Sequence, residues 1–176
     1  MSFARVRALV VVGALMILAL IFVVVALVRD TQAGQSLATG CQDGEVPANV
    51  ELPDNKDVKI NVYNGTQTAG LAEIVGTDFA NRKFQVAKKA NDPLHKKIEG
   101  VAVLRYGPKG LGSAHLLRAY FLDEADTEFD RDRKDAVVDV VIGERFQQLA
   151  TTTEVNQAVA ALGAPSLPPG TCLGNG

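Results

Sequence analysis

The sequence predicts an α+β protein, a two-layer sandwich with its helices on one face of a sheet, preceded by one transmembrane helix. Three observations carry this. Ala8–Val28 contains no charged residue, apolar residues alternate with polar ones in several later segments, and apolar residues recur at helical spacing between those segments.

A helix over Ala8–Val28 is about 30 Å long, the thickness of a hydrocarbon core. Arg5 and Arg7 precede it, and Arg29 and Asp30 follow it. The positive-inside rule then places residues 1–7 in the cytoplasm and the remainder outside, in a single-pass topology. A cleaved signal peptide is the rival reading, but its apolar region is usually shorter, about 7–15 residues. Leu37-Ala38-Thr39-Gly40-Cys41 resembles a lipidation box only loosely, because the apolar run ends well before it.

Residues 29–57 are polar, rich in Gly, Pro, Asn and Asp, and read as a flexible stalk. The folded domain is expected over residues 58–150. Val58, Ile60 and Val62 alternate with Lys59, Asn61 and Tyr63, the period of a half-buried strand, and Asn64-Gly65-Thr66 turns the chain. A helix is expected from about Gln67 to Lys83, with Leu71, Ile74, Val75 and Phe79 on one face and Thr66 or Thr68 at its start. Gly76 within it suggests close packing against a strand. Phe84–Lys89 and Val101–Tyr106 are the next two strands, joined by a polar connection containing Pro93.

A second helix follows Gly107-Pro108, from about Lys109 to Leu122, with Ala114, Leu117 and Phe121 facing one way. Asp123–Asp135 is densely charged and reads as a solvated loop. Val138, Val140 and Ile142 mark a fourth strand. The order β-α-β-β-α-β, with alternation implying one covered face, is the ferredoxin-like arrangement. A sheet with parallel pairs is the alternative. Residues 151–163 form a last helix, with Thr151 and Glu154 placed for a capping box, and 164–176 are a Pro- and Gly-rich tail.

Cys41 and Cys172 bracket the domain, and two cysteines allow one intrachain pairing, which an oxidising compartment favours. Setting aside Arg5 and Arg7, the 18 basic residues fall to 16 against 20 acidic ones. That acidic balance, with the topology, argues against a nucleic-acid partner, which needs a basic footprint.

Three segments carry a resemblance. Val62-Tyr63-Asn64-Gly65-Thr66 is followed by Ala69-Gly70-Leu71-Ala72; Leu104-Arg105-Tyr106-Gly107-Pro108 comes next; Val140-Val141-Ile142-Gly143 precedes Phe146. In this order and approximate spacing they resemble the LytR C-terminal domain of Gram-positive cell-envelope proteins. The stand-alone layout behind a membrane anchor looks like that of actinobacterial envelope-integrity proteins. The resemblance implies a role in cell-wall maintenance without catalysis. The stalk is too short to hold the LytR-CpsA-Psr phosphotransferase domain that some members carry.

For a ligand, Asn64, Gly65, Thr66 and Gly70 are the candidates. A strand-to-helix turn leaves helix N–H groups that attract a phosphate or carboxylate, although most such turns are plain structural caps that bind nothing. Gly107-Pro108-Lys109-Gly110 lacks the spacing of a phosphate loop. His95 and His115 have no metal-ligand spacing to other residues, so no metal and no cofactor is expected. Asp123, Glu124, Asp126, Asp130 and Asp132 lack the glycine and terminal glutamate of a calcium loop. No serine sits in a nucleophile elbow, and no catalytic residue is assigned. The expected partners are the cell membrane and either wall polymer or envelope proteins.

Overall fold

The computed structural model describes residues 12–13, 15–21 and 41–174, and it divides into two compact units, Met1–Ala38 and Thr39–Gly176. In the first unit the described residues are helical with exposed apolar side chains. The rest of the expected span Ala8–Val28, and residues 1–7, lie outside the described residues. Among those described, no helix is long and apolar enough to cross a membrane.

The second unit contains β1 (Val46–Ala48), β2 (Lys59–Asn64), α1 (Leu71–Asn81), β3 (Gln85–Asn91), β4 (Ala102–Tyr106), α2 (Leu111–Tyr120), β5 (Ala125–Phe129), β6 (Val138–Ile142), α3 (Thr152–Ala161) and β7 (Thr171–Leu173). The main sheet has the order β3-β2-β6-β4-β5. The pairs β2–β3, β2–β6 and β4–β5 are parallel, and only β4–β6 is antiparallel.

The mixed α+β class holds, but the ferredoxin-like strand arrangement does not. The sheet consists of two βαβ units, β2-α1-β3 and β4-α2-β5, flanking the central β6. A strand–helix–parallel-strand crossover is right-handed almost without exception. Because β4 runs opposite to β2 and its crossover steps the other way, two right-handed crossovers place both helices on one face. Their shared core agrees: Phe79 of α1 and Leu117 of α2 are fully buried with Ile60, Val62, Leu104, Val138, Val140 and Ile142. Edge-on ring contacts at 5.2 Å (Phe79–Phe84) and 5.0 Å (Phe84–Tyr120) fill the space beneath α1 and α2.

The fifth strand, β5, lies where a solvated charged loop was expected. Ala125, Thr127 and Phe129 pair with Ala102, Leu104 and Tyr106. Asp126 and Glu128 project to the other face, which no helix covers, so an edge strand carries the charge that made this segment look like a loop. That open face is polar. Asn61 donates to Asp139 at 2.7 Å, and Arg133 reaches the same carboxylate at 2.8 Å. A smaller apolar cluster of Tyr63, Ile98, Val103 and Val141 lies on this face under the 92–100 loop.

Residues 41–57 are not a free stalk. β1 pairs in parallel with β7, and Cys41 is disulfide-bonded to Cys172, with Cα atoms 5.3 Å apart. Asn49 N–H donates to the Pro108 carbonyl at 3.0 Å, and Gly112 N–H donates to the Asn49 carbonyl at 2.9 Å. Further along, Asn55 donates to the Tyr120 hydroxyl at 2.6 Å. Gly112 is indispensable to this seam, since a Cβ there would collide with the Glu51 carbonyl. Gly112→Ala is expected to cost about 1–3 kcal/mol through forced displacement of the arm. Hydrogen exchange should show the loss concentrated at Asn49–Glu51, and unchanged exchange there would contradict this seam.

Helix boundaries shift by a few residues. α1 begins at Leu71 because Gly70 takes a left-handed φ of 77° as its N-cap, with no side-chain cap, so neither Thr66 nor Thr68 performs that role. Gly76 packs on β3 as expected, with a Cβ position 2.7 Å from Cγ of Lys89. The capping box of α3 is present: Thr151 N–H donates to Glu154 Oε2 at 2.8 Å, and Glu154 N–H to Thr151 Oγ1 at 3.4 Å.

Candidate functional site

The loop after β2 is organised by one side chain. Asn64 is buried, and its Oδ1 accepts from Thr66 N–H at 3.0 Å and from the Thr66 hydroxyl at 2.8 Å. Its Nδ2 donates to the Thr68 carbonyl at 2.6 Å, and Thr68 N–H donates to Thr66 Oγ1 at 3.0 Å. Asparagine suits this place because its short amide can satisfy backbone groups two to four residues on. Those bonds engage both polar atoms of Asn64, which builds the loop.

Gly65 is held by close packing. Its N–H donates to the Ile142 carbonyl and its carbonyl accepts from Ile98 N–H, both at 2.9 Å. A Cβ would come within 2.7 Å of the Ile98 side chain and 3.0 Å of the Ile142 carbonyl. The left-handed backbone of this loop occurs at Gly70 and not at Gly65.

A second loop, following β3, faces the first. Asp92 N–H donates to the Asn64 carbonyl at 2.9 Å, which joins the two loops. The Asp92 carboxylate, 2% exposed, accepts from Leu94 N–H and Lys96 N–H, both at 3.3 Å, and from Arg105 at 2.6 and 3.2 Å. Arg105 of β4 also donates from Nε to Glu128 of β5 at 2.7 Å. Burial by itself would raise the Asp92 pKa. The hydrogen bonds from Arg105 and the two N–H groups, with the Arg105 charge, outweigh it and hold the carboxyl below its ordinary range. Glu128 is lowered in the same way: burial opposes, while Arg105 and Lys96 prevail.

Between the loops lies a cleft of about 390 Å³ at the carboxyl ends of β2 and β3, lined by residues 64–69, Asn91, Asp92 and His95–Lys97. Open sheets with parallel strands place ligands in this position. Of the residues singled out from sequence, Asn64, Gly65 and Thr66 line the cleft, and Gly70 does not. Asn91, Asp92, Lys96 and Lys97 were not singled out. His95, which has no metal-ligand spacing in the sequence, stands on the rim. His115 lies elsewhere, buried in α2 with Nε2 3.1 Å from the Gly163 carbonyl. Of the carboxylates weighed for calcium, Asp123 is ion-paired with Arg118.

Two βαβ units around a shared strand, a one-sided helical layer and a polar cleft at the strand ends define a two-layer α+β domain with a single-sided open sheet. The chain belongs to the LytR cell envelope-related transcriptional attenuator family, whose members it matches over residues 57–146. β1, α3, β7 and both cysteines lie outside that match. Among solved structures it is similar to the soluble domain of a conserved hypothetical secreted protein, an Rv2700 ortholog, from Mycobacterium marinum. The identity is 24%, the TM-score 0.54, and the likeness covers 71% of this chain and 82% of the other. At that identity the likeness speaks to the fold. A comparison with curated proteins gives no match.

Proposed function

We propose that this chain is a non-catalytic, membrane-anchored extracytoplasmic module that supports cell-envelope integrity by binding wall polymer or an envelope protein. Its family carries the envelope in its description, and the similar mycobacterial domain is described as secreted. The Cys41–Cys172 bond suits an oxidising compartment. Ala8–Val28, preceded by Arg5 and Arg7, supplies the anchor. The observation that carries the binding reading is the cleft. The loops that follow β2 and β3, the two strands of one βαβ unit, are locked together around Asn64 and Asp92, leaving polar side chains on a preformed rim.

Two experiments test this. Replacing Ala8–Val28 with an unrelated membrane helix should preserve envelope function in cells. Purified isolated walls should retain the detergent-solubilised chain. Loss of function on the helix exchange, with no retention on walls, would move the activity to the membrane segment and overturn the binding reading.

A further inference from the structure

We propose that the cleft is a site for an uncharged, acetamido-type saccharide, held at the end of the sheet opposite the point where the chain enters the folded unit; this rests on the wall-binding reading above. The polarity of the sheet supplies the direction. The parallel strands β2 and β3 end at the cleft, at Asn64 and Asn91. β4 runs the other way: Ala102 sits beside Ile142 at the cleft end, and Tyr106 lies at the far end. Just past Tyr106, Pro108 receives the arm that carries β1, and that arm is closed by Cys41–Cys172. The chain therefore enters the folded unit at the end away from the cleft. The length of β2 separates the two ends by roughly 20 Å.

The charges around the cleft indicate the ligand class. Lys96 and Lys97 are each within ion-pair distance of a carboxylate, Glu128 at 3.4 Å and Glu144 at 3.3 Å, and Arg105 faces Asp92 at 2.6 Å. Three cations thus stand against three carboxylates, leaving no net field to concentrate an anion. The Gln67 and Asn91 amides, the Thr68 hydroxyl and the His95 ring line the same cleft, and their side chains make no hydrogen bond among the described residues. Amides and hydroxyls both donate and accept, matching the hydroxyl and acetamido groups of a neutral sugar. This replaces the anion expected from the helix start alone.

The test uses the full chain in lipid nanodiscs, with a β-1,4-linked N-acetylglucosamine oligomer and inorganic polyphosphate as probes. The oligosaccharide should shift the amide resonances of Thr68 and Asn91. Its Kd should change less than about twofold between roughly 50 and 200 mM salt, where phosphate-type binding falls steeply. Gln67→Ala should weaken it about fivefold with an unchanged Tm, as for loss of one hydrogen bond. Polyphosphate binding at these residues with steep salt dependence would overturn the ligand class. Retention on isolated walls with no oligosaccharide response would sink this inference while leaving the wall-binding reading intact, whereas no retention on walls would remove both.

Discussion

Replacing Cys41 and Cys172 together by Ser is expected to lower the stability of the folded unit by up to about 5 kcal/mol, seen as a Tm lower by roughly 10–20 °C. The bond closes a loop with a sequence separation of 131, and long loops carry the largest entropic effect in the denatured chain. The loss should begin locally. β1 and β7 are three residues each, too short to remain paired without the crosslink. Releasing them uncovers Ala48, fully buried in the native unit, and frees the Asn49–Pro108 bond. The sheet from β2 to β6 contains neither cysteine, so the double variant should still fold, with proteolysis first cutting between residues 42 and 55. A Tm equal to that of the parent, measured without reductant, would show that strand pairing alone holds the arm.

How far the sequence discloses this fold depends on whether the signal is local. β2 and β6 were readable because each alternates over a face that is fully buried, and the α3 capping box because its two residues lie three apart. Asn64-Gly65-Thr66 was readable as a turn for the same reason, since its bonds run only two to four residues along the chain. Gly70 displaced the helix start because a left-handed residue there leaves no cap for a hydroxyl. β5 stayed hidden because an edge strand over an open face can carry Asp126 and Glu128 in alternation with buried Ala125, exposed Thr127 and half-buried Phe129. β1 and β7 were invisible because three residues, one of them Pro47, show no period. The facing wall of the cleft, His95–Lys97, is brought to Asn64 by the crossover to β3, and local pattern contains no register for a parallel pair. Parallel pairing, the alternative that the sequence left open, is decided only by the structure, as is the end of the sheet on which the disulfide lies.

Arg105→Met is expected to destabilise the unit by about 3–5 kcal/mol at neutral pH, the cost of leaving a buried carboxylate without its counter-charge. The Arg105 side chain is 10% exposed and that of Asp92 is 2% exposed, so solvent cannot replace the missing partner. Asp92→Asn should cost less, because Glu128 still faces Arg105 at 2.7 Å and an amide oxygen can still accept from Leu94 or Lys96 N–H. In the double variant Asp92→Asn/Arg105→Met the charges vanish together, and stability should recover to within about 2 kcal/mol of the parent, a clear non-additivity. The pH profile gives a second readout. In the parent the Asp92 and Glu128 carboxyls are held below their ordinary range, so the folded state binds fewer protons than the unfolded chain in that interval. Their contribution is complete above the ordinary carboxylate values of about 4 and is lost as pH falls through the lowered ones. With Arg105 gone, the opposing effect of burial on Asp92 is no longer outweighed by the guanidinium, so the acid-side loss of stability should shrink. Additive single-variant losses and an acid limb identical to the parent's would show that the pair is not the coupling between the cleft loop, β4 and β5 that its geometry indicates.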